Sequence, residues 1–139
     1  MSQFVGKWKG NKASRKNFEE YCKLTGVPED LVEKYRNATT TVEYENEDEN
    51  WTMTVISDAI PAPRVFKYKL GEECVSQDAQ GQGIKFTAVI NSDWSMVDSS
   101  SFERMGWKPT TTTRRVNGNE MNVETKTGDA TMSYEMDKV

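Results

Sequence analysis

The sequence predicts a mainly β protein, an antiparallel meander folded into a sandwich or barrel and preceded by two short helices. Three observations predict it. Beyond about Thr39, apolar residues alternate with polar ones, the period of a half-buried strand. These runs recur every ~8–12 residues with turn-forming residues between them. Threonines and an arginine share the apolar faces, where a solid core would hold them only at a cost unless each found a partner.

The helices come first. Ser14 is placed to cap a helix in which Phe18, Tyr21, Cys22 and Thr25 repeat at helical spacing. Gly26 is the glycine that ends it. Pro28 suits the first position of a second helix, with Glu29 and Asp30 at its positive end and Lys34 and Arg36 at its negative end. Leu31 and Tyr35 form the apolar edge of that helix. The strands follow. Thr40, Val42 and Tyr44 share a face, then Trp51, Met53 and Val55, then Phe66, Tyr68 and Leu70. Ile84, Phe86, Ala88 and Ile90 come next, with Trp94 and Met96 after them. Thr112, Arg114 and Val116, then Met121, Val123 and Thr125, then Met132, Tyr134 and Met136 complete the series. Turns fall at Asp48-Glu49-Asn50, Gln80-Gly81-Gln82-Gly83, Asn91-Ser92-Asp93, Asn117-Gly118-Asn119 and Gly128-Asp129. No linker or repeat interrupts them, so residues 1–139 read as one domain with a helical lid at about 14–37.

Composition narrows the function. Leu, Ile, Val and Phe make up 24 of the 139 residues, below the roughly one-fifth share at which disorder becomes a serious reading. A net charge of only −4 and 10% aromatic residues argue that the chain folds all the same. Inward Thr110, Thr112 and Thr125 fit a barrel that encloses a ligand cavity with ordered water, and a hollow barrel also explains the aliphatic shortage. Mild acidity argues against a nucleic-acid partner. No run of ~18 apolar residues is present to span a membrane, and Met1 to Trp8 lacks a secretory h-region. The expected compartment is therefore the cytoplasm, with Cys22 and Cys74 as reduced thiols. The absence of histidine removes the commonest general base and metal ligand. No catalytic residue, metal site or cofactor is expected.

Arg114 lies on the inward face with Thr112 and Val116. A buried guanidinium is costly unless an anion or a hydrogen-bond network meets it, and its planar fork suits a carboxylate. Tyr134, inward between Met132 and Met136, is placed to donate to the same oxygen. From alternation alone the alternative stays open: an edge-strand arginine bonded to backbone.

Phe4-Val5-Gly6-Lys7-Trp8-Lys9, Asn17-Phe18-Glu19-Glu20-Tyr21, Gly26-Val27-Pro28 and Leu70-Gly71-Glu72-Glu73 resemble the intracellular lipid-binding proteins, the cytosolic fatty-acid-binding and retinoid-binding type. The likeness runs from Phe4 to Tyr134. It implies an up-and-down, lipocalin-like barrel (a clam) of about ten antiparallel strands, closed at one end by the helix pair. It also implies a non-enzymatic carrier of long-chain fatty acid, monomeric, with a retinoid or another lipid such as a bile-acid-like ligand as the alternative. A protein-interaction barrel and a small isomerase using Tyr134 as acid stand further off. The family commonly anchors the ligand carboxylate with two arginines and a tyrosine. Arg114 and Tyr134 match, but Met132 stands in place of the second arginine. That makes a less acidic head, such as a retinoid alcohol or an acyl amide, more plausible than it would otherwise be; long-chain fatty acid still leads because Arg114 survives.

By the same resemblance Phe18, Tyr21, Cys22, Val27, Leu31 and Tyr35 line the cavity or its portal, with packing of the lid as their structural alternative. Pro61 and Ala79 belong to the portal turns, and Thr112, Val123, Thr125 and Met132 to the cavity wall. Arg64 offers a second cation near the portal, against a default of a solvated strand end. Lys12, Arg15, Lys16, Lys23, Lys34 and Arg36 could bring the lid into transient contact with an anionic membrane surface. Glu19, Glu20, Glu29, Asp30 and Glu33 offset them, so a solvated face is the plainer reading.

Overall fold

In the computed structural model, residues 3–78 and 80–139 are described; Ala79, expected at the portal, lies outside them. β1 (Gly6–Lys16) leads into α1 (Phe18–Leu24) and α2 (Glu29–Asn37). Then come β2 (Thr40–Glu47), β3 (Asn50–Ser57), β4 (Arg64–Lys69), β5 (Cys74–Gln77) and β6 (Gly83–Ile90). β7 (Met96–Phe102), a single 3₁₀ turn (Glu103–Met105), β8 (Thr110–Asn117), β9 (Glu120–Thr127) and β10 (Ala130–Lys138) complete the chain. The strands form one antiparallel sheet in the order β4-β3-β2-β1-β10-β9-β8-β7-β6-β5. The first and last strands of the chain, β1 and β10, pair in the middle of this order, with Trp8 opposite Lys138 and Gly10 opposite Met136, and the meander curls into a nearly closed barrel. Among the described residues no helix is long and apolar enough to cross a membrane.

β4 and β5 are the two sheet edges and share no ladder. Side chains hold this seam instead. The Arg64 guanidinium donates to the Gln77 carbonyl, and the Cys74 thiol donates to the Lys67 carbonyl across 3.8 Å. Arg64 therefore fastens the seam.

The core explains how a chain poor in aliphatics folds. Phe4, Trp8, Tyr44, Trp51, Phe66, Tyr68, Phe86, Met96, Met121 and Met136 are all buried in one cluster. Aromatic rings and flexible methionines fill the space that leucine usually takes. Phe86 sits edge-to-face between Phe66 and Tyr68, with centroids 6.0 and 5.1 Å away. The inward threonines are satisfied by one another: Thr110 and Thr127 share a hydrogen bond of 2.8 Å, Thr112 and Thr125 one of 3.3 Å. Both pairs stand directly opposite each other in the β8–β9 register, so these hydroxyls need no cavity water. The interior is partly hollow and otherwise close-packed.

Several local expectations change. Ser14 belongs to β1, and the helix begins after Asn17, whose φ of 62° is left-handed. Ser14 Oγ instead donates to the Asn11 carbonyl at 2.6 Å and accepts the Glu135 N–H at 2.8 Å, where the β1–β10 register shifts. Gly26 does end α1, with φ +77° and the Val27 N–H bonded to the Cys22 carbonyl at 3.0 Å, a Schellman-type return. Pro28 caps α2 from outside its first turn. On α2 the buried residue is Val32, while Leu31 is half-buried. Trp94 is a turn residue with φ +65° and 62% exposure; β7 starts only at Met96.

Candidate functional site

Two cavities lined by described residues open into the barrel interior. One of about 270 Å³ lies beneath the lid. Phe18, Tyr21, Cys22, Val27 and Tyr35 descend from the helices, and Val42, Met132, Tyr134 and Met136 rise from β2 and β10. Three cations, Lys12, Arg15 and Arg104, line it with no carboxylate among its lining residues. The second cavity, of about 150 Å³, lies between β3–β4 and β6–β8. Met53, Phe66, Ile84, Phe86 and Phe102 give it apolar walls, and Asp98, Ser100, Thr112 and Arg114 its polar ones. A surface groove between the end of α2 and the β3–β4 turn holds Ile60 and Pro61, and Ala38 lines both this groove and the cavity beneath the lid.

Polar contacts hold the lid in place. Tyr21 shares a hydrogen bond of 2.8 Å with Thr127, which extends the Thr110–Thr127 pair into a chain of three hydroxyls from helix to barrel wall. Burial raises the Tyr21 phenol pKa, and the Thr127 contact partly offsets it. Arg15 stacks over the Phe18 ring at 4.7 Å and donates to the Tyr35 and Arg36 carbonyls at the end of α2, at 2.9 and 3.3 Å. Arg36 binds Glu19 in a two-pronged pair that ties the helices together. Burial also pushes the Cys22 thiol up.

Arg114 faces the interior, as alternation predicts, but it already has an anion. Its Nη1 donates to Asp98 Oδ2 at 2.7 Å, and the two side chains are only 14% and 13% exposed. Asp98 is two residues along β7 from Met96, the residue opposite Arg114, so the pair is the diagonal neighbour expected of adjacent strands. Burial works against the guanidinium charge, yet Asp98, Tyr44 and Tyr134 around it more than compensate, and its pKa is raised. Burial pushes the nearby Tyr44 phenol up to about 12. Arg114 and Tyr134 both stand opposite Val123, one on β8 and one on β10, so they occupy one row with Cα atoms about 10 Å apart.

The expected site residues thus divide. Phe18, Tyr21, Cys22, Val27, Tyr35, Met132 and Tyr134 meet around the first cavity. Thr112 and Arg114 line the second, and Pro61 the surface groove. Val123 is buried between Arg114 and Tyr134, Thr125 is bonded to Thr112, and Leu31 is not among the residues lining either cavity. Sequence reasoning missed Asp98 and Arg104. The signal for Asp98 was parity: Met96, Asp98, Ser100 and Phe102 lie on one face of β7.

The chain matches the profile of the lipocalin / cytosolic fatty-acid binding protein family over residues 2–138. It is 33% identical over 96 residues to gastrotropin from Oryctolagus cuniculus, covering 68% of this chain and 70% of that protein. It is 30% identical over 86 residues to the liver fatty acid-binding protein of Mus musculus, covering 60% and 65%. Its fold superposes on the Schistosoma mansoni fatty acid binding protein in complex with arachidonic acid with a TM-score of 0.86, at 24% identity over 100% of this chain and 98% of the other.

Proposed function

The chain belongs to the lipocalin / cytosolic fatty-acid binding protein family, and from that premise we propose that it is a non-enzymatic cytoplasmic carrier. Its cargo is a long-chain fatty acid or a hydrophobic ligand of similar shape. The acyl chain lies against Phe18, Val27, Val42, Met132 and Met136 beneath the lid, and the polar head reaches the row that holds Tyr134 and Arg114. The observation that carries this reading is the apolar cavity under the helices with a buried guanidinium on the same barrel wall. Apolar contact supplies most of the affinity and the polar row fixes orientation. In this reading the protein acts as a monomer in one domain, and Lys12, Arg15 and Arg104 line the cavity beneath the lid. The lid touches anionic membrane surfaces only transiently, because Arg36 is already paired with Glu19.

The test has two parts. Organic extraction of the purified protein followed by mass spectrometry is expected to recover a stoichiometric lipid. Arg114→Ala is expected to weaken displacement of a fluorescent fatty acid by about tenfold, since a charge-assisted hydrogen bond is lost. An empty extract without probe binding rejects the carrier, and unchanged affinity in Arg114→Ala removes that residue from the site.

A second measurement follows from Cys22, which lines the cavity while Cys74 lies at the β4–β5 seam. Bound oleate is expected to slow iodoacetamide labelling of Cys22 several-fold and to leave Cys74 unchanged, as read by peptide mass spectrometry. Equal rates with and without ligand would place the chain elsewhere.

A further inference from the structure

We propose that Asp98 is a built-in counter-anion that makes the head-group site formally neutral, so that this barrel prefers lipids with an uncharged, hydrogen-bond-donating head over ionised carboxylates. The inference rests on the carrier reading and specifies its ligand. Two observations carry it. Arg114, the inward guanidinium lining the second cavity, is already engaged by Asp98 Oδ2 at 2.7 Å. The other oxygen, Asp98 Oδ1, is buried with no hydrogen-bond partner among the described residues.

These observations set opposite requirements for different heads. An ionised carboxylate offers acceptors only. To reach Arg114 it must displace Asp98 or lie beside it, and two carboxylates close together in a site of low dielectric repel each other. It also leaves Oδ1 without a donor. A hydroxyl or primary amide donates as well as accepts. Its O–H or N–H can satisfy Asp98 Oδ1 while its oxygen accepts from Arg114 or Tyr134, and the ion pair stays intact. The remaining polar groups of this cavity bring no compensating charge: Thr112 is bonded to Thr125, and Ser100 donates to the Thr110 carbonyl at 3.3 Å. Met132, on the cavity wall beside Tyr134, adds no cation. Asp98 therefore acts as a specificity-determining residue.

Calorimetric titration of the full chain at neutral pH with chain-matched laurate, lauryl alcohol, lauramide and dodecylamine tests this. Wild type is expected to bind the alcohol and the amide roughly tenfold more tightly than either ion. Asp98→Asn, which keeps an amide oxygen for Arg114, is expected to tighten laurate by about tenfold and to shift the laurate-to-alcohol ratio accordingly. Arg114→Gln leaves Asp98 as the uncompensated charge and is expected to shift preference toward dodecylamine by a similar factor. The two substitutions move selectivity in opposite directions, so either one decides if the other fails to fold. Laurate as the tightest ligand of wild type, or selectivity unmoved by both substitutions, overturns the role of Asp98 and leaves the carrier standing. Failure of all four ligands to bind wild type overturns the carrier reading and this inference with it.

Discussion

Asp98→Ala is expected to lower the stability of the ligand-free protein by about 3–5 kcal/mol, because it leaves the Arg114 charge buried without its anion. Both side chains are largely removed from water, so solvent screens the pair little. The groups left around Arg114 are the Tyr44 and Tyr134 phenols, whose hydroxyl dipoles replace only part of the lost attraction of a carboxylate. The expectation has an internal control. Removing both charges together, as in Asp98→Val with Arg114→Met, should cost far less than either single change, since a buried ion pair roughly balances its own desolvation. Urea denaturation of the single and double variants measures the coupling directly. A loss below about 1 kcal/mol in Asp98→Ala would show that Arg114 finds water or another partner when its carboxylate is gone.

Trp8→Ala is expected to be comparably damaging, at about 3–5 kcal/mol and a fall in Tm of roughly 10 °C. Trp8 is fully buried in the aromatic cluster. Its indole N–H donates to the Phe4 carbonyl at 2.9 Å, and its strand pairs with both β2 and β10. The truncation thus opens a cavity at the place where the two ends of the chain close the barrel. Trp8→Phe keeps the ring but drops the donor, and should recover most of the loss. Thermal unfolding followed by near-ultraviolet circular dichroism reads both variants. Equal damage from Phe and Ala would assign the effect to the Phe4 contact rather than to packing.

Alternation revealed the strands that carry large inward residues. Phe66 and Tyr68 on β4, and Phe86 and Ala88 on β6, are buried where the two-residue period puts them. It was nearly silent on β7, whose sequence Met-Val-Asp-Ser-Ser-Ser-Phe carries small polar residues on both faces, and so Asp98 stayed hidden. β1 was equally hard to see from periodicity, since Trp8 is its only buried residue; the expected order began with the helices, whereas this strand precedes them. Helix boundaries followed Gly26 because only the left-handed end of a helix needs that residue there. Ser14 misled because a cap-forming side chain serves a strand irregularity just as well. The threonine-rich inner face was legible, but its meaning depended on cross-strand register: Thr110 opposite Thr127 and Thr112 opposite Thr125 satisfy each other without solvent. Register is a property of pairing between distant segments, and composition carries no trace of it.

The seam between β4 and β5 gives this molecule the mechanics of a split ring. A closed hoop of hydrogen-bonded strands changes its circumference only by breaking a ladder, whereas a split one widens by flexing. Here nine consecutive ladders run from β4 round to β5, and the gap is bridged by side chains such as Arg64 and the Cys74 thiol. The interior can therefore swell to fit a bulkier occupant while every backbone ladder stays intact.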